Sequence, residues 1–222
     1  MSPLPSWHST LGLGTKVMVL DSEYLRSTPD VFPTEVRRFI DQPAPSVHSA
    51  QVAQVIASHD PLKIGIAPQC ELYLGEVVGH LSRGWHSLVE ALDWAIALKV
   101  DVLNMSFAHT VSFQPADERL RVLDDMGCIC VASYNPYLHW PHSLDTIVSV
   151  GVTGQVGKFS VAARGEAAVT LQGKPEWFRG SSAAAALISG SAACFKSRFP
   201  AGHREQFIQE ILRSPSAPSR AG

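Results

Sequence analysis

A stretch of small residues near the end of the chain places two serines at the predicted start of a helix. It runs GSSAAAALISG from Gly180 to Gly190, and its alanines favour a central, buried helix over about 183–196. Ser182 then has two interpretations: an ordinary helix cap, or a nucleophile whose oxyanion faces the free N–H groups of the first turn. This stretch alone favours the cap, so the nucleophile hypothesis needs a base, an acid and a further oxyanion donor elsewhere.

Candidate partners for Ser182 stand beside other predicted elements. Asp21 closes one apolar run, Asn135 follows another, and His48 begins a stretch with helical periodicity. Each of these residues alone also fits a structural role, such as a turn-forming aspartate or a hydrogen-bonded histidine on a helix. Together, however, carboxylate, imidazole, hydroxyl and amide are the groups that acyl transfer through a serine requires.

The elements that must position these groups alternate between strands and helices. Apolar runs predict buried strands, and helical stripes predict helices; the strands lie at 16–20, 71–78, 100–105, 128–132 and 146–150, and the helices at 48–57, 87–98, 115–126, 183–196 and 207–212. Residues 22–47 read as loop with one helical turn near 35–40, and residues 157–179 as irregular β and loop. The alternation predicts an α/β fold of three layers, a mostly parallel β-sheet with helices on both faces. Asp21, Ser106 and Asn135 would then share one sheet edge, where ligands collect in such folds.

Composition narrows the class of protein. With 222 residues, 45% of them hydrophobic and 17% charged, the chain is expected to form one globular domain over 1–213, followed by a disordered tail at 214–222. A net charge of −2 without a basic run gives no support for a nucleic-acid or membrane partner. Because no segment resembles a membrane span or a signal peptide, we expect a cytoplasmic protein.

The four cysteines favour buried, reduced thiols. Cys128 and Cys130 alternate within a predicted strand, so their side chains share one face and are not expected to bond to each other. The paired CxxC spacing of a zinc site is absent. We therefore expect neither a metal nor a cofactor.

Six short motifs, in order, resemble those of the subtilisin-like serine proteases (subtilases). They are VLDS from Val19, HSAQVA from His48, GIAP from Gly65, DVLNMS from Asp101, ASYN from Ala132 and GSSAAA from Gly180. The order Asp, His, Ser is also that of the subtilisin triad. The matches extend from about residue 16 to residue 198, so the resemblance implies a subtilisin-like catalytic domain over 1–213.

The resemblance also implies roles for the candidate residues. Ser182 would attack the scissile carbonyl, His48 would move the proton, and Asp21 would orient His48. The amide of Asn135 would bind the oxyanion together with the backbone N–H of Ser182. The chain would then be a serine endopeptidase acting on polypeptides.

Substrate contacts follow from the same resemblance. Ser106, Phe107 and Ala108 would line one wall of the specificity pocket, and Ser133 and Tyr134 the other. Phe107 and Tyr134 are bulkier than the residues that family members often have there, which predicts a preference for small side chains before the cut. Many subtilases carry calcium loops, but no loop rich in Asp and Asn stands out here, so we again expect no metal.

The chain also departs from the family pattern, at Glu23, Ser49, Tyr134 and Ala186. One alternative is therefore a catalytically inactive subtilase fold that binds peptides or partner proteins. The four retained catalytic groups argue against it. A remote alternative is an unrelated doubly wound protein. The compact size is consistent with an intracellular protease that processes one dedicated substrate. A partner protein, either a regulator or the substrate itself, fits that role.

Overall fold

The computed structural model describes residues 6–25, 28, 30–43, 45–79 and 84–213. The predicted tail at 214–222 lies outside the described residues. The strands are β1 Lys16–Asp21, β2 Glu35–Arg38, β3 Glu71–Glu76, β4 Val102–Met105, β5 Ile129–Ser133, β6 Ile147–Val152, β7 Val161–Ala163, β8 Glu166–Leu171 and β9 Lys174–Arg179. The helices are α1 His48–Ala57, α2 Gly84–Leu98, α3 Gln114–Asp125, α4 Ser181–Arg198 and α5 Arg204–Arg213, and a 3-10 turn covers Ser6–Thr10.

Seven of the described strands form one sheet in the order β2-β3-β1-β4-β5-β6-β7, and every pairing in it is parallel. Strands β8 and β9 form a separate antiparallel hairpin. Because the sheet is parallel, the carboxyl ends of β1, β4 and β5 lie at one edge. The predicted arrangement of Asp21, Ser106 and Asn135 at the ends of parallel strands is therefore confirmed.

Apolar side chains fill both faces of the sheet. One core layer joins the sheet to α1, α4 and α5, and the other joins it to α2 and α3. Residues that alternate along a strand face opposite layers, as Cys130 and Val131 of β5 do. The predicted three-layer α/β fold is confirmed.

Helix α4 is the central element of its layer. Its alanines, Ala183 to Ala186, are fully buried, and the small side chains let neighbouring backbone approach closely. At Gly190 an added Cβ would lie 2.6 Å from the Cβ of Ile66, which leaves no room for a larger residue. The sequence predicted this burial from the alanine content alone.

Two local predictions were wrong. The segment near residues 35–40 forms strand β2, because its backbone pairs with β3 at the sheet edge and that pairing outweighs local preference. The segment after 157 is also more regular than predicted, since β8 and β9 pair over their whole length. Of the helices in the described ranges, none has both the length and the apolar character that a bilayer crossing requires.

Candidate active site

Asp21 and His48 form a tight pair at the edge of the sheet. Nδ1 of His48 lies 2.9 Å from Oδ2 and 3.0 Å from Oδ1 of Asp21, whose side chain is 5% exposed. Ser22 donates its backbone N–H and its hydroxyl to Oδ1 at 2.7 and 3.0 Å. Because an ionised carboxylate only accepts hydrogen bonds, the imidazole proton belongs on Nδ1, and Nε2 remains as the basic nitrogen.

The environment of His48 sets its basicity. Burial lowers the pKa of His48, but the hydrogen bond to Asp21 and the negative charge of Asp21 together raise it more, so the pKa lies above its ordinary value of 6.5. The buried ring of Phe178 stands at 85° to the imidazole, with ring centroids 5.4 Å apart. This contact restricts the tilt of the imidazole on the side of the β8–β9 hairpin.

Ser182 lies in the first turn of α4 but does not cap the helix. Gly180 occupies the cap position, with a φ of 104° that favours glycine, and the helix begins at Ser181. The cap interpretation of Ser182 is therefore wrong. Its hydroxyl donates to the carbonyl oxygen of Ser106 at 3.3 Å, so in this structure the hydroxyl is directed to Ser106 and not to His48.

Asn135 is held by the carbonyl end of its side-chain amide. Oδ1 accepts hydrogen bonds from the backbone N–H groups of Tyr137 and Leu138 at 2.9 and 3.1 Å. The backbone carbonyl of Asn135 is also paired, at 3.0 Å, with Nε2 of His142. With Oδ1 occupied, the Nδ2 group is the end of the amide that can donate to a ligand.

The segment after β4 runs beside Ser182. Ser106 is buried, and Phe107 and Ala108 are half-buried. His109 and Trp140 exchange two backbone hydrogen bonds, of 2.8 and 3.0 Å, which anchor the far end of this segment. The ring of Phe107 packs against that of Trp140 at a centroid distance of 6.3 Å. Phe107 therefore packs against the core layer that joins the sheet to α2 and α3.

The segment predicted to form the other wall begins at the end of β5. Ser133 is buried, and the ring of Tyr134 contacts the rings of His142 and Phe159 at centroid distances of 4.9 and 5.4 Å. A Cβ at Gly157 would clash with the Tyr134 hydroxyl, so this ring is packed against the loop before β7. Tyr134 thereby lines an open groove of about 980 Å³.

No family model matches the chain. Subtilisin E of Bacillus subtilis is 32% identical over 115 residues, 46% of this chain and 29% of that protein. An intracellular serine protease of Paenibacillus polymyxa is 25% identical over 224 residues, 86% of this chain and 69% of that protein. The minor extracellular protease Epr of Bacillus subtilis is 27% identical over 116 residues, 49% of this chain and 18% of that protein.

The chain is similar in sequence to subtilisin-like serine proteases, at 25–32% identity. It spans less than a third of the length of Epr and of subtilisin E. The match to the Paenibacillus polymyxa protease covers most of the chain, which agrees with motifs extending from about residue 16 to residue 198.

The described residues offer no cluster of acidic side chains for a calcium site of the kind that many subtilases carry. In the part that the structure describes, no three side chains of His, Cys, Asp or Glu gather as metal ligands. The four cysteines are free thiols, and those of Cys128 and Cys130 lie 3.9 Å apart on one face of the sheet. The absence of a metal requirement stays a prediction.

Sequence reasoning missed several residues that shape this site. Phe178 contacts His48, and His142 holds the loop of Asn135. Neither lies in a recognisable motif, and each acts across elements that are distant in sequence. Asn104, by contrast, could have been singled out from the sequence, because an asparagine inside an apolar strand is unusual.

Proposed function

We propose that the chain is a serine endopeptidase that cleaves peptide bonds in polypeptides. The observation that carries the proposal is the contact of both Asp21 carboxylate oxygens with Nδ1 of His48. This contact holds the imidazole in the tautomer whose Nε2 can take a proton from a hydroxyl. The likeness to subtilisin E and to the Paenibacillus polymyxa protease supports the same chemistry.

In this mechanism Ser182 is the nucleophile. Its oxygen forms a bond to the scissile carbonyl carbon while its proton passes to Nε2 of His48, and the imidazolium is stabilised by Asp21. The same proton then passes to the leaving amine as the C–N bond breaks. Water repeats the sequence on the acyl group, which releases the acid and restores the Ser182 hydroxyl.

The oxyanion would be bound by two donors on different elements. The first-turn N–H of Ser182 has no carbonyl partner within its own helix, and the partial positive charge of the α4 N-terminus adds to its effect. The Nδ2 group of Asn135 is the second donor. Its rigidity comes from the two backbone N–H groups that hold Oδ1, so little reorganisation is needed when charge develops.

Substrate would lie between the two walls described above. Ser106, Phe107 and Ala108 form one wall, and Ser133 and Tyr134 the other. The expected preference for small side chains before the cut rests on the bulk of Phe107 and Tyr134 in these two segments.

We extend the proposal to an intracellular, cytoplasmic role on a dedicated polypeptide substrate, without a nucleic-acid or membrane partner. The match that covers 86% of the chain is to a protein named as an intracellular protease, although Epr is named as extracellular. Four free cysteines support a reducing compartment. Fractionation of the source cells, followed by immunoblotting, tests this extension; recovery of the protein from the medium would refute it.

One observation favours the alternative of a non-catalytic, peptide-binding fold. The Ser182 hydroxyl is bonded to Ser106, and a nucleophile must instead present its proton to His48. The Ser182 side chain is half-buried, and a change of its rotamer would release the contact with Ser106. The endopeptidase remains the function that the geometry supports best.

A fluorophosphonate probe distinguishes these two functions. An activated serine reacts with the probe, and an unactivated one does not, so the wild-type protein should be labelled at Ser182 as located by peptide mapping. Ser182→Ala should abolish labelling and peptide cleavage while leaving the unfolding transition cooperative. Ser181→Ala is the matched control, because it removes the neighbouring hydroxyl and should leave labelling intact. A folded wild-type protein that is not labelled would favour the peptide-binding alternative.

A further inference from the structure

Strand β4 carries a polar side chain into the interior beneath the candidate site. Asn104 stands between Leu103 and Met105 in the sequence of this strand. It is fully buried, and its side-chain amide contacts helix α4. Burying an amide is unfavourable unless its donors and acceptors find partners. Its hydrogen bonds therefore require an explanation.

Both ends of the Asn104 amide are paired. Nδ2 donates to the hydroxyl of Ser189 at 2.9 Å, and Oδ1 accepts from the hydroxyl of Ser106 at 3.0 Å. Ser189 is itself fully buried and donates to the carbonyl of Ala185 at 2.9 Å. The end of β4 is thereby tied to the middle of α4.

A second connection joins the same strand and helix. The carbonyl oxygen of Ser106 accepts a hydrogen bond from the hydroxyl of Ser182 at 3.3 Å. Ser182 and Ser189 are seven residues apart, which is two helical turns, so both lie on the face of α4 that meets β4. The strand and the helix are held at two points, and one of these points is the candidate nucleophile.

Stability alone does not account for the buried pair. Two apolar side chains of similar size would fill the same space, and such exchanges of both partners are often neutral or stabilising. What a hydrogen-bonded pair adds is a fixed distance and orientation between the elements it joins.

We propose that Asn104 and Ser189 are positioning residues for the Ser182 nucleophile. Their hydrogen bond sets the end of β4 against α4, so that the Ser106 carbonyl is placed to hold the resting Ser182 hydroxyl. This inference rests on the proposed endopeptidase function. It concerns how the hydroxyl is placed, and it leaves the Asp21–His48 pair unchanged.

The decisive variant replaces both partners by apolar residues, Asn104→Leu with Ser189→Ala. We expect it to unfold cooperatively, at a denaturant midpoint at most slightly below that of the wild type, because the apolar side chains fill the space but the Ser106 hydroxyl loses its acceptor. We also expect fluorophosphonate labelling and kcat to fall roughly 10-fold to 100-fold with KM little changed, because a small displacement of a reacting group has effects of this order. The pH dependence of the remaining activity should keep the wild-type midpoint, since His48 and Asp21 are untouched.

Two further variants separate positioning from packing. Ser189→Thr keeps the hydroxyl and should retain most of the rate, whereas Ser189→Ala alone should lose it; this pair carries the test if the double variant does not fold. Ser191→Ala is the matched control, because Ser191 is also buried in α4 but pairs with His8 at 3.2 Å, away from β4. It should leave kcat unchanged.

The outcomes are distinct. A folded Asn104→Leu, Ser189→Ala protein that is labelled at the wild-type rate would overturn the positioning role and leave the proposed function standing. Equal rates for Ser189→Ala and Ser189→Thr would overturn it in the same way. A wild-type protein that is folded but unlabelled would overturn both proposals together.

Discussion

The two halves of the candidate site are held in different ways. On one side, Asp21 and His48 are joined by contacts of 2.9 and 3.0 Å, and Ser22 adds two more hydrogen bonds to the carboxylate. On the other side, the Ser182 hydroxyl makes a longer contact, of 3.3 Å, with the Ser106 carbonyl. The charged half has its hydrogen bonds in place before substrate arrives, whereas the Ser182 hydroxyl must leave the Ser106 carbonyl before it can donate to His48.

This difference agrees with what each half must do. The Asp21–His48 pair has to stabilise a charge that appears on the imidazole, and electrostatic stabilisation works best when the groups are already in place. The hydroxyl of Ser182 has to move a proton away and form a bond, so a weak resting contact costs little to break. Variants of each half should therefore have effects of different kinds.

The largest effect is expected from loss of the base. His48→Ala should lower kcat by about 10⁶-fold, because the nucleophile and its base act as one unit. Steady-state hydrolysis of a peptide substrate measures the change. Adding Ser182→Ala to this variant should cause little further loss; a large additional loss would mean that the two residues act independently.

Loss of the carboxylate should be the next largest effect. Asp21→Asn should lower kcat by about 10⁴-fold, because the amide no longer fixes the productive tautomer of His48. The exposed Asp93→Asn change, in the Asp93–Arg119 surface pair, is the control and should have no effect on kcat.

Asp21→Asn should also change the pH dependence of kcat/KM. Because the pKa of His48 is raised above 6.5, the wild-type kcat/KM should rise with pH through a midpoint above 6.5, as the base loses its proton. In Asp21→Asn the effect of burial remains without the charge, so the midpoint should move to lower pH. A midpoint that does not move would show that Asp21 does not govern the basicity of His48.

On the nucleophile side, Asn135→Ala should have an intermediate effect. We expect kcat to fall by about 10²–10³-fold with KM little changed, because the amide would bond the oxyanion and not the ground-state carbonyl. Tyr137→Ala, on the exposed neighbour of the same loop, is the matched control. A rise in KM without a fall in kcat would place Asn135 in substrate binding instead.

A smaller effect, on selectivity alone, is expected from the wall next to Asn135. Tyr134→Gly should shift the preferred side chain before the cut from small to large by roughly 10-fold in relative kcat/KM, the scale of pocket-size effects. A peptide library that varies this position measures the shift. Fastest cleavage after Phe or Leu by the wild type would contradict the small-residue preference.

The smallest effect is expected from removing divalent cations. Incubation with EDTA should change neither the melting temperature nor kcat, because the described residues include no grouped acidic ligands. A marked fall in melting temperature, reversed by calcium, would show that a bound ion stabilises the fold and would contradict this prediction.

Much of the charged half could be predicted from the sequence. Asp21 and His48 each lie in a recognisable motif, and parallel strands bring the carboxyl ends of β1, β4 and β5 to one edge without further information. The nucleophile half was less predictable. Its resting contact joins Ser182 to Ser106, and its supports join Asn104 to Ser189 and Asn135 to His142, all across elements that local periodicity cannot relate.

Strand β2 shows the same limit in the fold. Glu35–Arg38 carries no local strand signal, and it becomes a strand because the edge of β3 offers hydrogen-bond partners. Gly180 is a contrasting case, because its position directly before the serines is visible in the sequence, but its φ of 104° and its role as the cap are visible only in three dimensions.

The close packing of α4 affects how tolerance to mutation should be interpreted. Enlarging any of the fully buried residues Ala183 to Ala186 would overpack the core, and at Gly190 even a methyl group meets Ile66. A saturation scan scored on activity would therefore find this helix intolerant along most of its length. Intolerance at Ser182 alone would not reveal chemistry. Only exchanges that conserve volume, such as Ser182→Cys or Ser182→Ala, distinguish a reactive hydroxyl from a side chain that merely has to be small.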